Sequence, residues 1–432
     1  MNELFIEQVK QYFKEDYLDY LDLLNKPYYQ GFFLNTNKAD KETIFNLIDF
    51  KYENNNYSND SFYHHEDNIG KTKVYDLGLI YPQEIAASLT TNYINKDDIE
   101  YVVDMCASPG GKTINILNRL NKDVLCISND ISHSRVLTLS SNLERLGLDN
   151  VIITNKKSDV LAKELYNFAD IVILDAPCSS EGIIRKYPEV LQTYSLENID
   201  NLSLIQSSLL ENAYSILKNN GQLIYSTCTY SFKEDELQII DFLNRHPDMK
   251  IIPINIDSHS TLKGCVKLSP LNNTEGQFFC IMKKNNNDVS SYKPKYLKPI
   301  KDKLVDNFIN DNLLIDDYYL YHYNDNYYLS LVPLFDLGKN VIKYGINIGK
   351  IINNRFEPNH NLYRSNSLIG KYRYSYDLND DEYNKYIQGY EIKTNLSNNY
   401  YLITYKGLSL GYGKCSNNIM KNKYPKGLRR MI

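Results

Sequence analysis

Between residues 98 and 285, short apolar runs alternate with longer segments that have helical patterns. Segments such as Ser132–Leu146 and Leu196–Leu217 are long enough for helices that connect one strand to the next. This alternation predicts a mostly parallel sheet with helices on both faces. The predicted strands are Tyr101–Met105, Val124–Ser128, Val151–Thr154, Ile171–Leu174, Leu223–Ser226 and Phe278–Met282.

The flanks of this α/β segment have different patterns. Near the N-terminus, apolar residues recur at spacings typical of amphipathic helices, namely Leu4, Val9, Phe13, Leu18, Leu21 and Leu24. Toward the C-terminus, short alternating runs such as Tyr400–Tyr405 predict a β-rich module. Asparagine, serine and proline are frequent in Asn285–Pro299, which is typical of a linker. These patterns predict regions with boundaries at 1–95, 96–285, 286–298, 299–370 and 371–432.

The composition limits the class of protein. The chain has 432 residues, 43% of them hydrophobic, and its 48 basic and 53 acidic side chains give a net charge of −5. No apolar run approaches the roughly 18 residues that a membrane-spanning helix needs, and the acidic N-terminus lacks the pattern of a signal peptide. The odd number of cysteines, 7, argues against a disulfide-stabilised secreted protein. A cytoplasmic protein with no membrane partner is therefore expected.

The first candidate for chemistry is the segment Asp104–Thr113, which follows a predicted strand and opens a predicted helix. Its glycines, Gly110 and Gly111, allow the backbone to approach a ligand closely, and the helix N-terminus offers free N–H donors. A phosphate-binding loop is excluded because Cys106 occupies the position where that motif needs glycine. Taken alone, the turn is as compatible with a structural role as with ligand binding.

Further polar segments lie at the ends of predicted strands, where open α/β sheets bind their ligands. Asp130 could accept hydrogen bonds from ribose hydroxyls, although an N-cap role is the more common one for such a residue. Cys178 and Cys228 each follow a strand, and Asp175 precedes the first of them. A single cysteine is usually an inert buried residue, but two cysteines beside an aspartate indicate chemistry. No metal site is expected, because no Cys-x-x-Cys spacing or nearby histidine completes a zinc ligand set.

Together these segments resemble the NOL1/NOP2/Sun family of RNA cytosine-5 methyltransferases. The sequences PGGKT, DAPCS and STCT occur at 109–113, 175–179 and 226–229, in the family's order and spacing. The resemblance covers about residues 98–285 and implies a Rossmann-like class I fold that uses S-adenosylmethionine (SAM). It departs from the family at Ser180, where glycine is usual, and at 155–159, where no residue matches cleanly the one that binds adenine.

The resemblance implies a role for each motif residue. Cys228 is the nucleophile that attacks C6 of cytosine, Cys178 assists product release, and Asp175 holds the N3 and amino edge of the base. The cytosine must be flipped out, because a stacked base cannot reach such a site. Tyr187 could stack on it, but we interpret Tyr187 as a packing residue. The residues expected to bind SAM are Cys106, Ala107, Ser108, Pro109, Gly110, Gly111, Lys112, Asp130 and Asp175.

Basic residues are concentrated at the C-terminus although the chain is acidic overall. The segment Gly411–Ile432 contains lysines and arginines but no acidic residue, which favours phosphate contacts over a merely solvated tail. This segment and Gly78–Glu84 resemble the bacterial 16S rRNA branch of the family, whose last domain is a PUA-like RNA-binding module. We therefore expect an RNA-binding α+β domain at 1–95 and a β-rich PUA-like domain at 371–432. The predicted RNA contacts are Arg135, Arg185, Lys423, Lys426, Arg429 and Arg430.

The resemblance implies the formation of 5-methylcytosine in 16S rRNA or the small ribosomal subunit, by a monomer. A tRNA methyltransferase and an assembly factor that binds SAM and RNA with little catalysis remain alternatives. The complete set of Asp175, Cys178 and Cys228 argues against the second alternative. A DNA cytosine-5 methyltransferase is not favoured, since the nucleophile of that class lies in its Pro-Cys segment and its pattern has no counterpart of Cys228.

Overall fold

The structure is a computed structural model and describes residues 3–121, 123–286 and 295–430. The N-terminal elements are α1 (Glu3–Phe13), α2 (Tyr17–Leu24), β1 (Gly31–Leu34), α3 (Lys41–Phe45), β2 (Tyr52–Glu53), β3 (Ser61–His64), α4 (Lys73–Asp76), β4 (Ile80–Pro82) and α5 (Ile85–Leu89). The strands form an antiparallel sheet in the order β2-β3-β1-β4. In α1, Phe5, Val9 and Phe13 are buried at four-residue spacing, which confirms the predicted amphipathic helix.

The central elements follow the predicted alternation of strands and helices. They are β5 (Tyr101–Asp104), α6 (Gly111–Arg119), β6 (Leu125–Asn129), α7 (His133–Leu146), β7 (Val151–Thr154), α8 (Ser158–Glu164), β8 (Ala169–Asp175), α9 (Leu196–Ile216), β9 (Leu217–Thr227), α10 (Glu236–Arg245), β10 (Met249–Ile251), β11 (Val266–Leu268) and β12 (Gln277–Lys284). Each predicted strand is therefore present, with some bounds shifted. Of the predicted linker, 287–294 lies outside the described residues.

The C-terminal part is rich in strands, as its alternating pattern predicts. Its elements are α11 (Lys303–Asn312), β13 (Tyr319–Tyr323), β14 (Asn326–Ser330), β15 (Val341–Tyr344), β16 (Ile346–Ile352), β17 (Arg355–Pro358), β18 (Ser375–Leu378), α12 (Asp380–Gln388), β19 (Ile392–Lys393), β20 (Tyr400–Tyr405), β21 (Leu408–Ser416) and β22 (Ile419–Asn422). Among the described residues, all of these strands except β15 form two sheets of their own, ordered β13-β14-β16-β17 and β18-β20-β21-β22-β19.

The central sheet has nine strands within the described residues, in the order β10-β12-β9-β8-β5-β6-β7-β15, with β11 paired to β12. The strands β9, β8, β5, β6 and β7 are parallel to one another. The outer strands are antiparallel, so the expectation of a mostly parallel sheet holds for the centre alone. Strand β15 comes from the predicted region 299–370 and extends this sheet, and the region boundaries themselves remain predictions.

Both faces of the central sheet are buried. Val102 and Val103 are consecutive residues of β5, both are fully buried, and they belong to apolar clusters on opposite faces. This continuous burial explains why the central strands read as uninterrupted apolar runs. Within the described parts of the chain, no helix combines the length and apolar character needed to cross a membrane.

Candidate active site

The parallel strands β5, β6, β8 and β9 end at one edge of the central sheet, and the polar segments that follow them enclose a cleft. This is the edge at which open α/β sheets bind ligands. The cleft has a volume of about 490 Å³. Its lining consists of Met105, Cys106, Asn129, Asp130, Ile131, Arg135, Lys156, Ser158, Asp175, Ala176, Pro177, Cys178, Ser180, Ile205, Leu209 and Cys228.

The loop between β5 and α6 is fixed at both of its ends. Gly110 has a φ of 115°, in the left-handed region that favours glycine, and it immediately precedes α6. At the other end, the Thr113 hydroxyl donates to Oδ2 of Asp104 at 2.7 Å. Burial raises the pKa of Asp104 to about 7. In this loop Cys106 lines the cleft. Lys112, the second residue of α6, is buried and does not line the cleft itself, but it pairs with a residue that does.

That residue is Asp175, the last residue of β8. The ammonium of Lys112 lies 2.7 Å from Oδ2 of Asp175, and the Ser226 hydroxyl donates to Oδ1 at 2.8 Å. Both carboxylate oxygens are therefore held in place. The side chain of Asp175 is 37% exposed and lines the cleft. The arrangement fixes an acceptor beside the two cysteine segments.

Cys178 and Cys228 lie side by side although 50 residues separate them in the chain. Their sulfur atoms are 3.3 Å apart, and the hydroxyl of Ser180 lies 3.7 Å from the Cys228 sulfur. The contact with the Cys178 thiol, together with Ser180 and the charge of Lys112, lowers the pKa of Cys228. The same contact, together with burial, raises the pKa of Cys178. Of the two thiols, Cys228 therefore loses its proton more readily, and its backbone N–H donates to the Cys178 sulfur at 3.3 Å.

A buried carboxylate joins the two cysteine segments from behind. Glu234 accepts hydrogen bonds from the backbone N–H of Ser179 at 3.0 Å and from the amide of Gln206 at 2.9 Å. It also accepts from the Ser179 hydroxyl, which lies 2.7 Å from the hydroxyl of Thr229. Because Ser179 and Thr229 directly follow the two cysteines, this network fixes the distance between the sulfur atoms. Glu234 and Ser179 lie 55 residues apart in the chain, so no local sequence pattern could indicate their contact.

Asp130 lies at the end of β6 with a side chain that is 3% exposed. Its Oδ1 accepts from the backbone N–H of Ser132 at 2.9 Å, and its Oδ2 lies 3.5 Å from the guanidinium of Arg135. Asp130 thus forms a local turn ahead of α7 and not the N-cap bond that is more common for such a residue, and it also lines the cleft. Arg135 is exposed at the rim and donates to the carbonyl of Ser108 at 2.6 Å.

The predicted RNA contacts fall into two groups. Arg185 is 2% exposed and pairs with Glu275 at 2.9 Å, and Arg430 binds Asp76 and the carbonyls of residues 70–72. The prediction is therefore corrected for these two arginines, because protein groups already use their guanidinium donors. Lys426 is exposed, and Lys423 and Arg429 are partly exposed, on the C-terminal sheet module, away from the cleft lining.

Several lining residues were missed by the sequence analysis. Ile205 and Leu209 lie four residues apart on α9 and form an apolar wall, a spacing that the helical pattern alone could have indicated. Ser158 lines the cleft, whereas its neighbour Asp159, considered for the adenine contact, is exposed and does not. Among the described residues, no group of three or more His, Cys, Asp or Glu side chains has a geometry suited to a metal ion.

Three family models match the chain in order. The N-terminal domain of 16S rRNA methyltransferase RsmF matches residues 1–85. The 16S rRNA methyltransferase RsmB/F model matches 91–283, and the methyltransferase RsmF PUA domain matches 373–430. The cleft, Asp175 and both cysteines of the close pair lie within the second match.

Curated relatives carry the name ribosomal RNA small subunit methyltransferase F. The protein from Escherichia coli O139:H28 (strain E24377A / ETEC) is 31% identical over 250 residues, which cover 54% of this chain and 52% of the relative. The one from Escherichia fergusonii is 32% identical over 237 residues, covering 53% of this chain and 50% of the relative. The chain thus spans about half the length of the curated relatives it matches.

Solved structures share the architecture. A methyltransferase homolog protein from Pyrococcus horikoshii has a TM-score of 0.58 at 25% identity, covering 66% of this chain and 95% of that one. NSun6 from Pyrococcus horikoshii, crystallised with SFG, has a TM-score of 0.58 at 20% identity, covering 65% of this chain and 98% of that one. These likenesses establish the Rossmann-like methyltransferase fold for the central sheet.

Proposed function

The chain belongs to the RsmB/F methyltransferase family, with the N-terminal, catalytic and PUA domains of its RsmF group, and from this premise we propose that it converts a cytosine of 16S rRNA to 5-methylcytosine. The observation that carries the proposal is the pair of sulfur atoms 3.3 Å apart beside Asp175. A thiol pair next to a fixed carboxylate, at the ligand-binding edge of a methyltransferase sheet, suits covalent chemistry on a pyrimidine ring.

The residues of the cleft fit SAM as the methyl donor. The nearly buried carboxylate of Asp130 can accept the ribose hydroxyls, and Ile131, Ile205 and Leu209 offer apolar contacts for the adenine ring. Cys106 lines the part of the cleft near the end of β5. When bound there, SAM supplies the electrophilic methyl group that C5 accepts. The chain's own residues activate the cytosine.

Asp175 orients the base and Cys228 attacks it. With both oxygens held by Lys112 and Ser226, the carboxyl group of Asp175 is positioned for the N3 and amino edge of a flipped cytosine. The thiolate of Cys228 adds to C6, forming a C–S bond, while N3 takes up a proton from solvent water and C5 becomes nucleophilic. The lowered pKa of Cys228 raises the fraction of thiolate available for this step.

Cys178 acts in the release of the product. After C5 has accepted the methyl group, its proton passes to solvent water, the electrons of the C5–H bond form the C5–C6 double bond, the C6–S bond breaks, and Cys228 departs as a thiolate. Cys178, 3.3 Å from that sulfur, stabilises the departing thiolate with a hydrogen bond. The ring regains its aromaticity and N3 returns its proton to the solvent. This assigns attack to one thiol and release to the other.

RNA contacts outside the cleft come from exposed cations. Arg135 lies at the rim of the cleft, while Lys423, Lys426 and Arg429 lie on the C-terminal module, which the PUA model matches. Lysine and arginine side chains of this kind bind phosphates without reading the sequence. We propose that a single copy of the chain uses both surfaces on one RNA.

The test is a methyl-transfer assay with radioactive SAM on 16S rRNA, 30S subunits and tRNA, followed by bisulfite sequencing. Wild-type protein should label a cytosine in 16S rRNA, free or in the subunit, and Cys228→Ala should not, although it still binds SAM in a filter assay. Labelling confined to tRNA would show that tRNA is the substrate and that the 16S rRNA proposal is wrong. Binding of SAM and RNA without any labelling would favour an assembly factor and contradict the proposal.

A further inference from the structure

Two adjoining cavities lie between the N-terminal part and the central domain, apart from the catalytic cleft. Their volumes are about 300 and 620 Å³, and both are lined by Tyr28, Tyr29, Gln30 and His64. They share no lining residue with the cleft. We call the two cavities together the tyrosine groove.

One wall of the tyrosine groove is connected to the segment of Cys228 through Gly182. Gly276 lines the groove, and its N–H donates to the carbonyl of Gly182 at 2.9 Å. The N–H of Gly182 in turn donates to the carbonyl of Cys228 at 2.9 Å. A β-carbon on Gly182 would lie 2.6 Å from Cα of Gly276, so two glycines are needed for this close approach. The groove is therefore linked to the segment of Cys228 by two backbone hydrogen bonds.

Another part of the groove lining reaches the first residue of α6. Gln83 lines the groove, and its Nε2 would lie 2.7 Å from a β-carbon on Gly111. Gln83 and Asn115 exchange two hydrogen bonds, at 3.0 and 2.9 Å, which hold the amide in this place. The groove thus contacts the start of α6 and is connected through Gly182 to the segment of Cys228. A binding site for the nucleotides next to the reacting cytosine would need such a position.

Two aromatic rings of the groove are available to a ligand. Tyr187 is 42% exposed, which contradicts its interpretation as a packing residue, and the ammonium of Lys186 lies 5.2 Å from its ring centre and 5.9 Å from that of Tyr28. Tyr29 and Tyr63 differ from them, because their phenol oxygens bond to Asn273 at 3.1 and 2.6 Å. Tyr28 and Tyr187 thus each place a ring near the same cation, which suits stacked bases joined by a phosphate.

One oxygen of a buried carboxylate in the same groove has no hydrogen-bond donor among the described residues. Glu275 is 5% exposed, and its Oε1 accepts from the backbone N–H of Tyr29 at 2.9 Å and from Arg185 at 2.9 Å. Its Oε2 is buried with no hydrogen-bond partner among the described residues. An unpaired buried acceptor is costly, and an exocyclic amino group of adenine, cytosine or guanine would satisfy it.

We propose that the tyrosine groove binds unstacked RNA nucleotides adjacent to the target cytosine, with bases on Tyr28 and Tyr187 and an amino-bearing base at Glu275. This inference rests on the proposed RNA substrate and adds the single-stranded character of its flank. Aromatic faces and amide side chains are the usual means of recognising single-stranded RNA. A duplex could not present its base faces to these rings.

The experiment measures RNA affinity without turnover. Fluorescence anisotropy would follow the binding of the full chain to a fluorescein-labelled single-stranded RNA of about 12 nucleotides, and to the same strand paired with its complement. The variants are Tyr28→Ala and Tyr187→Ala. Tyr28→Phe and Tyr187→Phe retain the rings, and Tyr166→Ala removes an exposed tyrosine outside the groove.

Each alanine variant should weaken single-strand binding about tenfold, while the phenylalanine variants and Tyr166→Ala remain near wild type. Duplex affinity should not change in any variant. Unchanged single-strand affinity in both alanine variants would overturn the proposal, as would an equal loss of duplex binding. RNA affinity and methyl transfer are measured separately, so the two proposals can fail independently. If the wild-type protein showed no methyl transfer but the groove variants still lost RNA affinity, the proposed function would be wrong and the RNA-binding role of the groove would be supported.

Discussion

The central domain contains two close pairs of cysteines with opposite surroundings. Cys178 and Cys228 border a cleft, with Ser180 and Lys112 nearby. Cys265 and Cys280 are brought together by the pairing of β11 with β12 and lie in the apolar core. Burial raises the pKa of Cys280 well above its usual value. Cys126 and Cys415 are buried as well, so all four of these cysteines are packing residues.

The comparison shows that proximity of two thiols does not by itself make a reactive pair. A thiolate needs donors and positive charge that stabilise it more than burial destabilises it. The Ser180 hydroxyl and the Lys112 ammonium, together with the Cys178 thiol, provide this at Cys228, whereas Cys280 has the Cys265 thiol but is otherwise surrounded by apolar side chains. Four substitutions test this difference, starting with the one of greatest effect.

Removal of the proposed nucleophile should show the largest difference in activity between the two cysteine pairs. We expect Cys228→Ala to lower methyl transfer by on the order of 10³-fold or more, because the covalent route is lost. Cys280→Ala is the matched control, and it should retain activity while lowering the free energy of unfolding by about 1–3 kcal/mol. Steady-state kinetics and urea denaturation measure the two effects. Comparable loss of activity in both variants would contradict the distinction.

Removal of the second thiol should arrest the reaction after attack. In Cys178→Ala the covalent bond between Cys228 and the RNA should persist, because release lacks its assisting thiol. A slowly migrating complex on a denaturing gel, which disappears when Cys228 is also replaced, would show this. Cys265→Ala should give no such complex. If Cys178→Ala turned over normally, Cys178 would have no part in release.

Glu234 is a positioning residue, and its replacement tests whether the network behind the active pair fixes its geometry. Glu234→Gln turns an amide donor toward Ser179 or Gln206, which are themselves donors. We expect kcat to fall about tenfold to hundredfold, as for small displacements of reacting groups, with little change in KM for RNA. Glu197→Gln, at an exposed position of α9, is the control. An equal change in both variants, or a change in KM alone, would refute this role.

The smallest effect concerns the charge near the thiolate. Lys112→Met removes a cation that lowers the pKa of Cys228 and frees the charge of Asp175, which raises it, so both changes move the pKa upward. Alkylation of Cys228 by iodoacetamide should then require higher pH and be about fivefold slower at neutral pH, which corresponds to roughly 1 kcal/mol. Mass spectrometry resolves each cysteine, and Cys280 should stay unreactive in the folded protein. A profile shifted to lower pH would contradict the assigned sign.

The sequence predicted those features that depend on local patterns. The strands of the central sheet and the loop before α6 follow from apolar runs and from glycine at Gly110. Residue type alone was a poorer guide to contacts. Arg185 and Arg430 have the charge of RNA ligands but pair with Glu275 and Asp76 inside the protein. Their partners lie far away in the chain, so no local pattern could indicate them.

The sequence by itself determined the α/β class of the central domain, the β-rich C-terminal part and the motif residues of the candidate site. Only the tertiary structure decided that β8 lies between β5 and β9, which brings Lys112, Asp175 and Cys228 together. It likewise formed the tyrosine groove and placed one cysteine pair at a cleft and the other in the core. The physical reason is that strand propensity is a property of neighbouring residues, whereas strand order and burial depend on contacts across the whole chain.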